Sequence, residues 1–151
     1  MSEKPRRASK NKSKTTGDLL QEIVNRISHR RGETLRIMDE IPVTLQQTLL
    51  LRRLREMSPC TASDLAAEFN LSLPAVSQAI ERLVRLKLVT RVESDTDRRE
   101  KRLATTGKTH ILLGRLFEAR SKEYTAGLSA LPADVRERLV SVLQEVLREL
   151  P

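Results

Sequence analysis

The chain has 151 residues and a formal net charge of +8, with 38% hydrophobic and 32% charged residues. This length suffices for one domain, and because only two Phe and one Tyr are aromatic, its core must consist of aliphatic side chains, which suits packed helices. The single cysteine excludes an intramolecular disulfide. No apolar run approaches the ~20 residues of a membrane span, and the basic N-terminus lacks the apolar stretch of a secretory signal. We therefore expect a cytoplasmic protein.

The basic residues are concentrated in two segments. Residues 1–14 contain six basic side chains and one acidic one, and residues 72–102 contain eight basic and five acidic ones. This distribution favours a polyanionic partner, most often nucleic acid, although a solvated tail and ordinary surface charge would also produce it. Residues 1–15 cannot bury enough apolar surface to fold, so we interpret them as a disordered basic tail; the alternative is an arm that touches DNA.

Helical periodicity begins at about Thr16. The first predicted helix runs to Met38 and ends before Pro42; its apolar positions are Leu20, Ile23, Val24 and Ile27. A second helix ends before Pro59, and one face of it carries Leu45, Leu49, Leu50 and Leu54.

A helix-turn-helix is predicted next. Thr61 opens a short helix, with Asp64 three residues later as a variant of the capping box, and Asn70 stands where a helix end tolerates a left-handed residue. Ser72 can cap a further helix that has Pro74 in its first turn and runs to about Lys87. A short helix, a tight turn and a second helix form the DNA-binding helix-turn-helix.

The period changes between residues 88 and 105. Residues 88–92 are predicted to form a strand, 93–97 a polar turn and 98–105 a return strand. A basic hairpin directly after a helix-turn-helix is a wing. Thr106 can cap the next helix, in which Ile111, Leu112 and Leu116 point one way, and a final amphipathic helix follows Pro132. The predicted fold is therefore mainly α with a small β-hairpin wing, six helices in all.

The second helix of the helix-turn-helix has two distinct faces at 100° per residue. One gathers the apolar residues Val76, Ala79, Ile80, Leu83 and Leu86, and the other gathers Pro74, Ser77, Gln78, Glu81, Arg82 and Arg85. A glutamine amide can bond the adenine edge at both ends, a serine can reach several bases, and the two arginines are better placed for phosphates. The alternative interpretation is an ordinary amphipathic surface helix.

The predicted wing tip contains Asp97, Arg98 and Arg99, with Lys101 behind them. A hairpin tip can enter the minor groove, where an arginine meets concentrated negative potential. An acidic residue beside two arginines is reasonable if it pairs with one of them and holds the tip in shape. A solvated turn of mixed charge is the alternative.

Residues 61–102 resemble the MarR (multiple antibiotic resistance regulator) family, and with the flanking helices the resemblance covers roughly residues 17–151. The matching motifs are Thr61-Ala62-Ser63-Asp64-Leu65-Ala66, Leu71-Ser72, Val76-Ser77-Gln78, Glu81-Arg82-Leu83, Leu88-Val89-Thr90-Arg91 and, most specific, Asp97-Arg98-Arg99. The chain departs from the family at Lys87 and Thr109, where glycines are usual, and at Thr105-Thr106, where Leu-Thr is usual.

The resemblance implies a triangular homodimer in which the first, fifth and sixth helices interlock. It implies binding to palindromic operators, often as a repressor released by a small ligand or by oxidation. Carried over residue by residue, it places Ser72, Pro74, Ser77, Gln78 and Arg82 in the major groove, Arg99 in the minor groove and Asp97 as a brace of the wing.

Two apolar stripes independently favour a dimer, because they are too long to be covered within a small lobe. The residues expected at the dimer interface are Leu20, Ile23, Val24, Val135, Leu139, Val142, Leu143, Val146, Leu147 and Leu150. The predicted organisation is a tail at 1–15 and one domain at 16–151, with dimerisation helices at about 16–40 and 106–150 and a DNA-binding lobe at about 43–105.

The remaining chemistry-bearing residues indicate no further site. Cys60 precedes the short helix with nothing decisive to lower its pKa, so we interpret it as passive rather than redox-active. His29 and His110 lack partners at metal-ligand spacing, and no nucleophile–base set or phosphate-binding glycine loop occurs. We therefore expect no metal, no cofactor and no enzyme activity.

The sequence thus predicts a DNA-binding transcription regulator. Its expected partners are duplex DNA, a second copy of the chain and a small-molecule effector of unknown identity. One alternative is an architectural or anti-silencing DNA-binding protein without ligand control. Another is a protein-interaction module whose wing docks an acidic protein.

Overall fold

The computed structural model describes residues 14–28, 32–93 and 101–150. These residues form α1 (Thr16–Ile27), α2 (Glu33–Glu40), α3 (Leu45–Met57), α4 (Ala62–Phe69), α5 (Leu73–Arg85), β1 (Val89–Glu93), β2 (Lys101–Thr105), α6 (Gly107–Leu128) and α7 (Ala133–Glu149). The mainly helical fold with a two-stranded hairpin after α5 confirms the predicted fold class. Most of the basic tail, His29 and the wing-tip residues Asp97, Arg98 and Arg99 lie outside the described residues.

The helix count was wrong by one, since seven helices are present among the described residues instead of six. The error lies in the first predicted helix, which consists of α1 and α2. Ser28 ends α1, and Gly32 precedes α2 with a φ of 60°, a left-handed conformation that glycine adopts without steric cost. The apolar spacing on either side is helical, so periodicity alone did not reveal the break.

The start of α4 was predictable because local side chains satisfy the free N–H groups of its first turn. The capping box expected at Thr61 and Asp64 is confirmed, with the Thr61 N–H donating to Asp64 over 2.8 Å and the Asp64 N–H donating to Thr61 Oγ1 over 3.1 Å. Thr15 and Thr44 form equivalent boxes at α1 and α3. These hydrogen bonds hold the pKa of Asp64 below its ordinary value.

The described residues divide into two compact units. One contains α1, the end of α6 from residue 123 and α7; the other contains residues 32–122. The second unit has one aliphatic core, whose members include Ile37, Val43, Leu51, Leu54, Leu65, Val76, Ile80, Leu83, Leu88, Val89, Leu103, Leu112, Leu113 and Leu116. This core fixes α3, α4, α5, the hairpin and the first part of α6 in one body.

The first unit brings two helices into backbone contact. A Cβ added to Gly127 of α6 would lie 2.5 Å from Ile27 Cβ and 2.8 Å from Ile27 Cα. Ile27, at the end of α1, is the buried residue of that helix. A residue without a side chain is therefore required at position 127 for α6 to approach α1 this closely.

Two predicted apolar faces need correction. In α3, Leu50, Leu51 and Leu54 are buried, whereas Leu45 and Leu49 are 63% and 43% exposed. Leu49 lies about 100° from Leu50 around the helix, on the side away from Leu51, so it cannot share the buried face. In α6, Ile111 is likewise exposed, and the buried face holds Thr109, Leu112, Leu113 and Leu116 instead.

No helix in the described ranges has both the length and the apolar character needed to cross a bilayer.

Candidate nucleic-acid interface

Helix α5 is positioned by its neighbours with one face outward. Val76, Ile80 and Leu83 are buried in the core of the second unit. Ser72 caps the helix by accepting a hydrogen bond from the Ala75 N–H over 3.4 Å, and Pro74 lies in the first turn as predicted. The inward face of the predicted recognition helix is therefore confirmed, and the outward face is available to a partner.

The predicted DNA-reading side chains lie on this surface, with one partial exception. Pro74, Gln78, Arg82 and Arg85 are exposed, as are Ser72 at the cap and Lys101 at the start of β2, while Ser77 is half-buried. Ser77 lies closest to the buried face, 100° from Val76 on one side and from Gln78 on the other. Gln78 is thus nearer the centre of the outward face than Ser77.

The turn between α4 and α5 is held by backbone hydrogen bonds. Asn70 adopts the left-handed conformation expected of it, with a φ of 50°, and its N–H donates to the Ala67 carbonyl over 3.2 Å. The Leu71 N–H donates to the Ala66 carbonyl over 2.9 Å. These bonds close the end of α4 and set the direction in which α5 begins.

The corner after α5 contains Lys87, where the resemblance in sequence leads us to expect a glycine. The helix ends at Arg85, and Lys87 adopts a φ of 59°, a conformation that glycine would adopt more easily. Thr106 Oγ1 donates to the Lys87 carbonyl over 2.8 Å, Lys108 Nζ donates to the Leu86 carbonyl over 3.0 Å, and the buried Thr109 hydroxyl donates to the Leu88 carbonyl. Three side chains at the start of α6 thus stabilise a corner in which Lys87, and not a glycine, adopts the left-handed conformation.

The wing is anchored at its base. Strands β1 and β2 pair antiparallel, with Val89 opposite Thr105 and Glu93 opposite Lys101. The first strand lies within one residue of the predicted range 88–92, and the second ends at Thr105 as predicted. Residues 98–100 of the predicted second strand lie outside the described range. Cys60 adds a short third connection through two backbone hydrogen bonds with Leu103, of 3.2 and 2.7 Å, which sequence analysis missed.

The same pairing buries the Cys60 side chain. The residue is 5% exposed, and burial is the main cause that raises the pKa of its thiol above the ordinary value, with the nearby Asp64 charge adding to it. A raised pKa lowers the thiolate fraction at neutral pH, and the thiolate is the reactive form. The geometry therefore agrees with a packing role for Cys60.

Two arginines near α5 hold partners within the chain. Arg82 Nη2 donates to the Pro42 carbonyl over 3.1 Å, which connects α5 to the segment before α3. Arg91 of β1 forms an ion pair with Glu81 of α5. Sequence analysis gave Arg91 no role of its own, although strand alternation places it on the same side of β1 as the buried Val89.

The predicted dimer residues are mostly exposed within the single chain. Leu20, Ile23, Val142, Leu143, Val146, Leu147 and Leu150 are exposed, and Val24, Val135 and Leu139 are half-buried. Every residue of α7 from Val140 onward is exposed, and Leu147 reaches 71%. The hollows on α7 are open and shallow, one of about 460 Å³ lined by Ala133, Arg136, Glu137, Val140 and Ser141. No cluster of potential metal ligands occurs among the described residues.

Comparisons with known proteins agree with this geometry. Residues 41–100, which span α3 to the wing, match the sequence model of the MarR family. A comparison with curated protein sequences finds no match.

Several solved structures share the fold. A transcriptional regulator from Thermotoga maritima superposes with a TM-score of 0.72 at 20% identity, over 86% of this chain and 89% of that one. A mutant of S. aureus MepR bound to an oligodeoxyribonucleotide superposes with a TM-score of 0.66 at 20% identity, over 92% and 100%. A mutant of MarR from E. coli gives 0.66 at 19% identity, over 91% and 99%. At these identities the likeness shows a shared fold.

Proposed function

We propose that this protein is a transcription regulator that binds duplex DNA as a homodimer, because residues 41–100 match the sequence model of the MarR family and contain a helix-turn-helix followed by a hairpin. The observation that carries the proposal is the outward face of α5, which is polar, capped and followed directly by a wing. The S. aureus MepR mutant of the same fold is bound to an oligodeoxyribonucleotide, which supports the same class of ligand here.

In the proposed complex, α5 enters the major groove and the wing contacts the adjacent minor groove. Gln78 is the main base-reading residue, because its amide can donate to and accept from one adenine edge. Ser72, Pro74 and Ser77 line the start of the helix, and Arg82 and Arg85 approach phosphates. Lys101, Arg98 and Arg99 supply the positive charge of the wing, and Asp97 braces it.

A second copy of the chain is the proposed occupant of the exposed apolar faces of α1 and α7. Water-exposed stripes such as Leu143, Val146 and Leu147 cost free energy that a two-fold partner removes by burying them. Two-fold symmetry also presents two copies of α5 to one duplex, and palindromic half-sites one helical turn apart, about 34–36 Å, fit such a dimer.

We further propose that the protein acts as a repressor released by a small ligand, on the strength of the family resemblance. The dimer would have two states, one in which the spacing of its two α5 helices fits the operator and one in which it does not. Release requires that the ligand bind the second state more tightly than the first. The alternative is an architectural or anti-silencing DNA-binding protein without ligand control, which the basic N-terminal segment favours.

Selection of duplexes from a random pool by the purified full chain tests the proposal. We expect an enriched palindrome whose half-sites are one turn apart. Binding without an enriched sequence, together with a steep salt dependence, would support the architectural alternative. Failure to retain any duplex at moderate salt would overturn DNA binding and favour a wing that docks an acidic protein.

A further inference from the structure

The exposed surface of α5 carries one acidic side chain among its predicted DNA-contacting residues. Glu81 lies one turn after Gln78 and Ser77 on the same helix, and its side chain is 49% exposed. An anion on a surface that approaches DNA is unfavourable, because duplex DNA carries one negative charge per about 1.7 Å of its axis. A negative charge at position 81 would therefore weaken DNA binding unless the side chain has another role.

The structure gives Glu81 a specific partner on the wing. The Arg91 guanidinium donates to the Glu81 carboxylate, although the two residues are ten positions apart and belong to different elements. Arg91 remains 41% exposed, so it is held at the surface and not buried. The pair connects α5 to β1. While it is formed, the Arg91 guanidinium is not free to bind a phosphate.

On the premise that α5 and the wing contact DNA, we propose that Glu81 is a specificity-determining positioning residue. It holds Arg91 away from the phosphates of random-sequence DNA, and it sets the wing against α5 in the arrangement that suits the operator. Binding to random DNA depends almost wholly on phosphate neutralisation. Glu81 weakens this binding in two ways, because it keeps Arg91 in an ion pair and because its own negative charge repels the phosphates. Binding to the operator also depends on how well α5 and the wing fit their two grooves. The ion pair between Glu81 and Arg91 supports this fit.

Glu81→Gln separates the two effects, because it removes the charge and keeps the shape. At 0.15 M salt, one further phosphate contact should raise affinity for a random-sequence duplex about fivefold and steepen the slope of log K against log salt by about 0.9. Affinity for the duplex selected by the wild-type protein should stay unchanged or fall, so the ratio of specific to random binding drops at least about fivefold.

Two further variants control the measurement. Glu118→Gln removes the same charge from an exposed position of α6 and should change random-duplex affinity by less than about twofold. In the double variant Glu81→Gln/Arg91→Gln the freed arginine is absent, so the salt slope should return to the wild-type value. Thermal melting of each variant should match the wild type, since both partners are exposed.

The outcomes distinguish this inference from the proposed function. If the wild-type chain binds no duplex, the proposed function fails, and the role of Glu81 fails with it. If the wild type binds but Glu81→Gln leaves the random-duplex affinity and salt slope unchanged, the inference alone is wrong. An equal gain on both duplexes would also overturn it, because Glu81 would then be an ordinary surface charge.

Discussion

The side chain at position 78 lies on the outward face of α5, two positions after buried Val76 and next to half-buried Ser77. This placement allows its amide to reach a base edge without disturbing the core. We predict that Gln78→Ala costs about 1–3 kcal/mol of binding free energy on the selected duplex and little on random DNA. Fluorescence anisotropy on both duplexes measures this.

A matched substitution shows whether the effect belongs to the surface of α5. Gln144 is an exposed glutamine of α7, far from α5 in sequence, so Gln144→Ala should leave both affinities unchanged. If Gln78→Ala weakens selected and random duplexes by the same factor, Gln78 contacts the backbone and reads no base.

At the wing tip, Asp97 and Arg99 lie outside the described residues, and their roles stay predictions. Adjacent side chains on a strand point to opposite sides, so Arg98 and Arg99 cannot share one role. Arg99→Ala should weaken binding most at the operator flanks and flatten the salt slope by about one unit. Asp97→Ala should also weaken binding if Asp97 braces the tip, although removing an anion would by itself strengthen it. A salt titration of both variants on one duplex decides, since tighter binding by Asp97→Ala rules out a bracing role.

At the scale of elements, the close approach of α1 and α6 leaves no room for a side chain at Gly127. In Gly127→Ala, the new methyl group would meet Ile27 Cβ and Cα at distances below 3 Å, including backbone that cannot move cheaply. We predict a loss of about 1–3 kcal/mol in the free energy of unfolding, typical of overpacking. Urea denaturation at a fixed protein concentration measures the change.

Gly114 of the same helix provides the control. A Cβ there meets no atom within 4 Å, so Gly114→Ala should stabilise the protein by about 0.5–1 kcal/mol through helix propensity alone. If both alanine variants stabilise the chain to the same extent, the contact between α6 and Ile27 is not close in solution.

The cap of α4 should make stability depend on pH. The pKa of Asp64 is lowered by hydrogen bonds from Thr61, so the folded protein gains from the ionised carboxylate above the ordinary aspartate pKa. This gain is lost as the pH falls through the lowered pKa. The urea midpoint of Asp64→Ala should therefore lie below the wild-type midpoint at pH 7, and the gap should shrink below about pH 4. A gap that stays constant down to pH 2 would show that the charge of Asp64 contributes nothing.

For the whole molecule, the exposed apolar faces of α1 and α7 are the basis of the dimer prediction. Sedimentation at micromolar concentration should give about twice the 17.2 kDa mass of one chain. Leu147→Glu and Val146→Glu should shift the equilibrium toward monomers, because a charge would be buried without a partner at the interface. A monomeric wild-type protein that still binds a palindrome tightly would contradict this prediction.

The helix-turn-helix and its wing were predictable from local sequence because their signals act over a few residues. Thr61 with Asp64, Asn70 and Ser72 with Pro74 satisfy or shape their own backbone, and the apolar period of α5 identifies its buried face. The motif Asp97-Arg98-Arg99 added the resemblance to the MarR family. Local patterns mispredicted the number of helices, because the apolar period continues on both sides of the break between α1 and α2. They also mispredicted part of the buried faces of α3 and α6.

Only the tertiary structure revealed the contacts that join elements distant in sequence. Arg82 reaches the Pro42 carbonyl, Cys60 pairs with Leu103, and Thr109 closes the corner at Leu88. The pairing of Glu81 with Arg91 also depends on how β1 packs beside α5. Periodicity identified the buried face of α5 and only part of the buried faces of α3 and α6, and it does not tell which residue of another element a side chain meets. That choice is made by the packing of the whole core, which assigns partners to charged side chains that the sequence alone presents as equivalent surface residues.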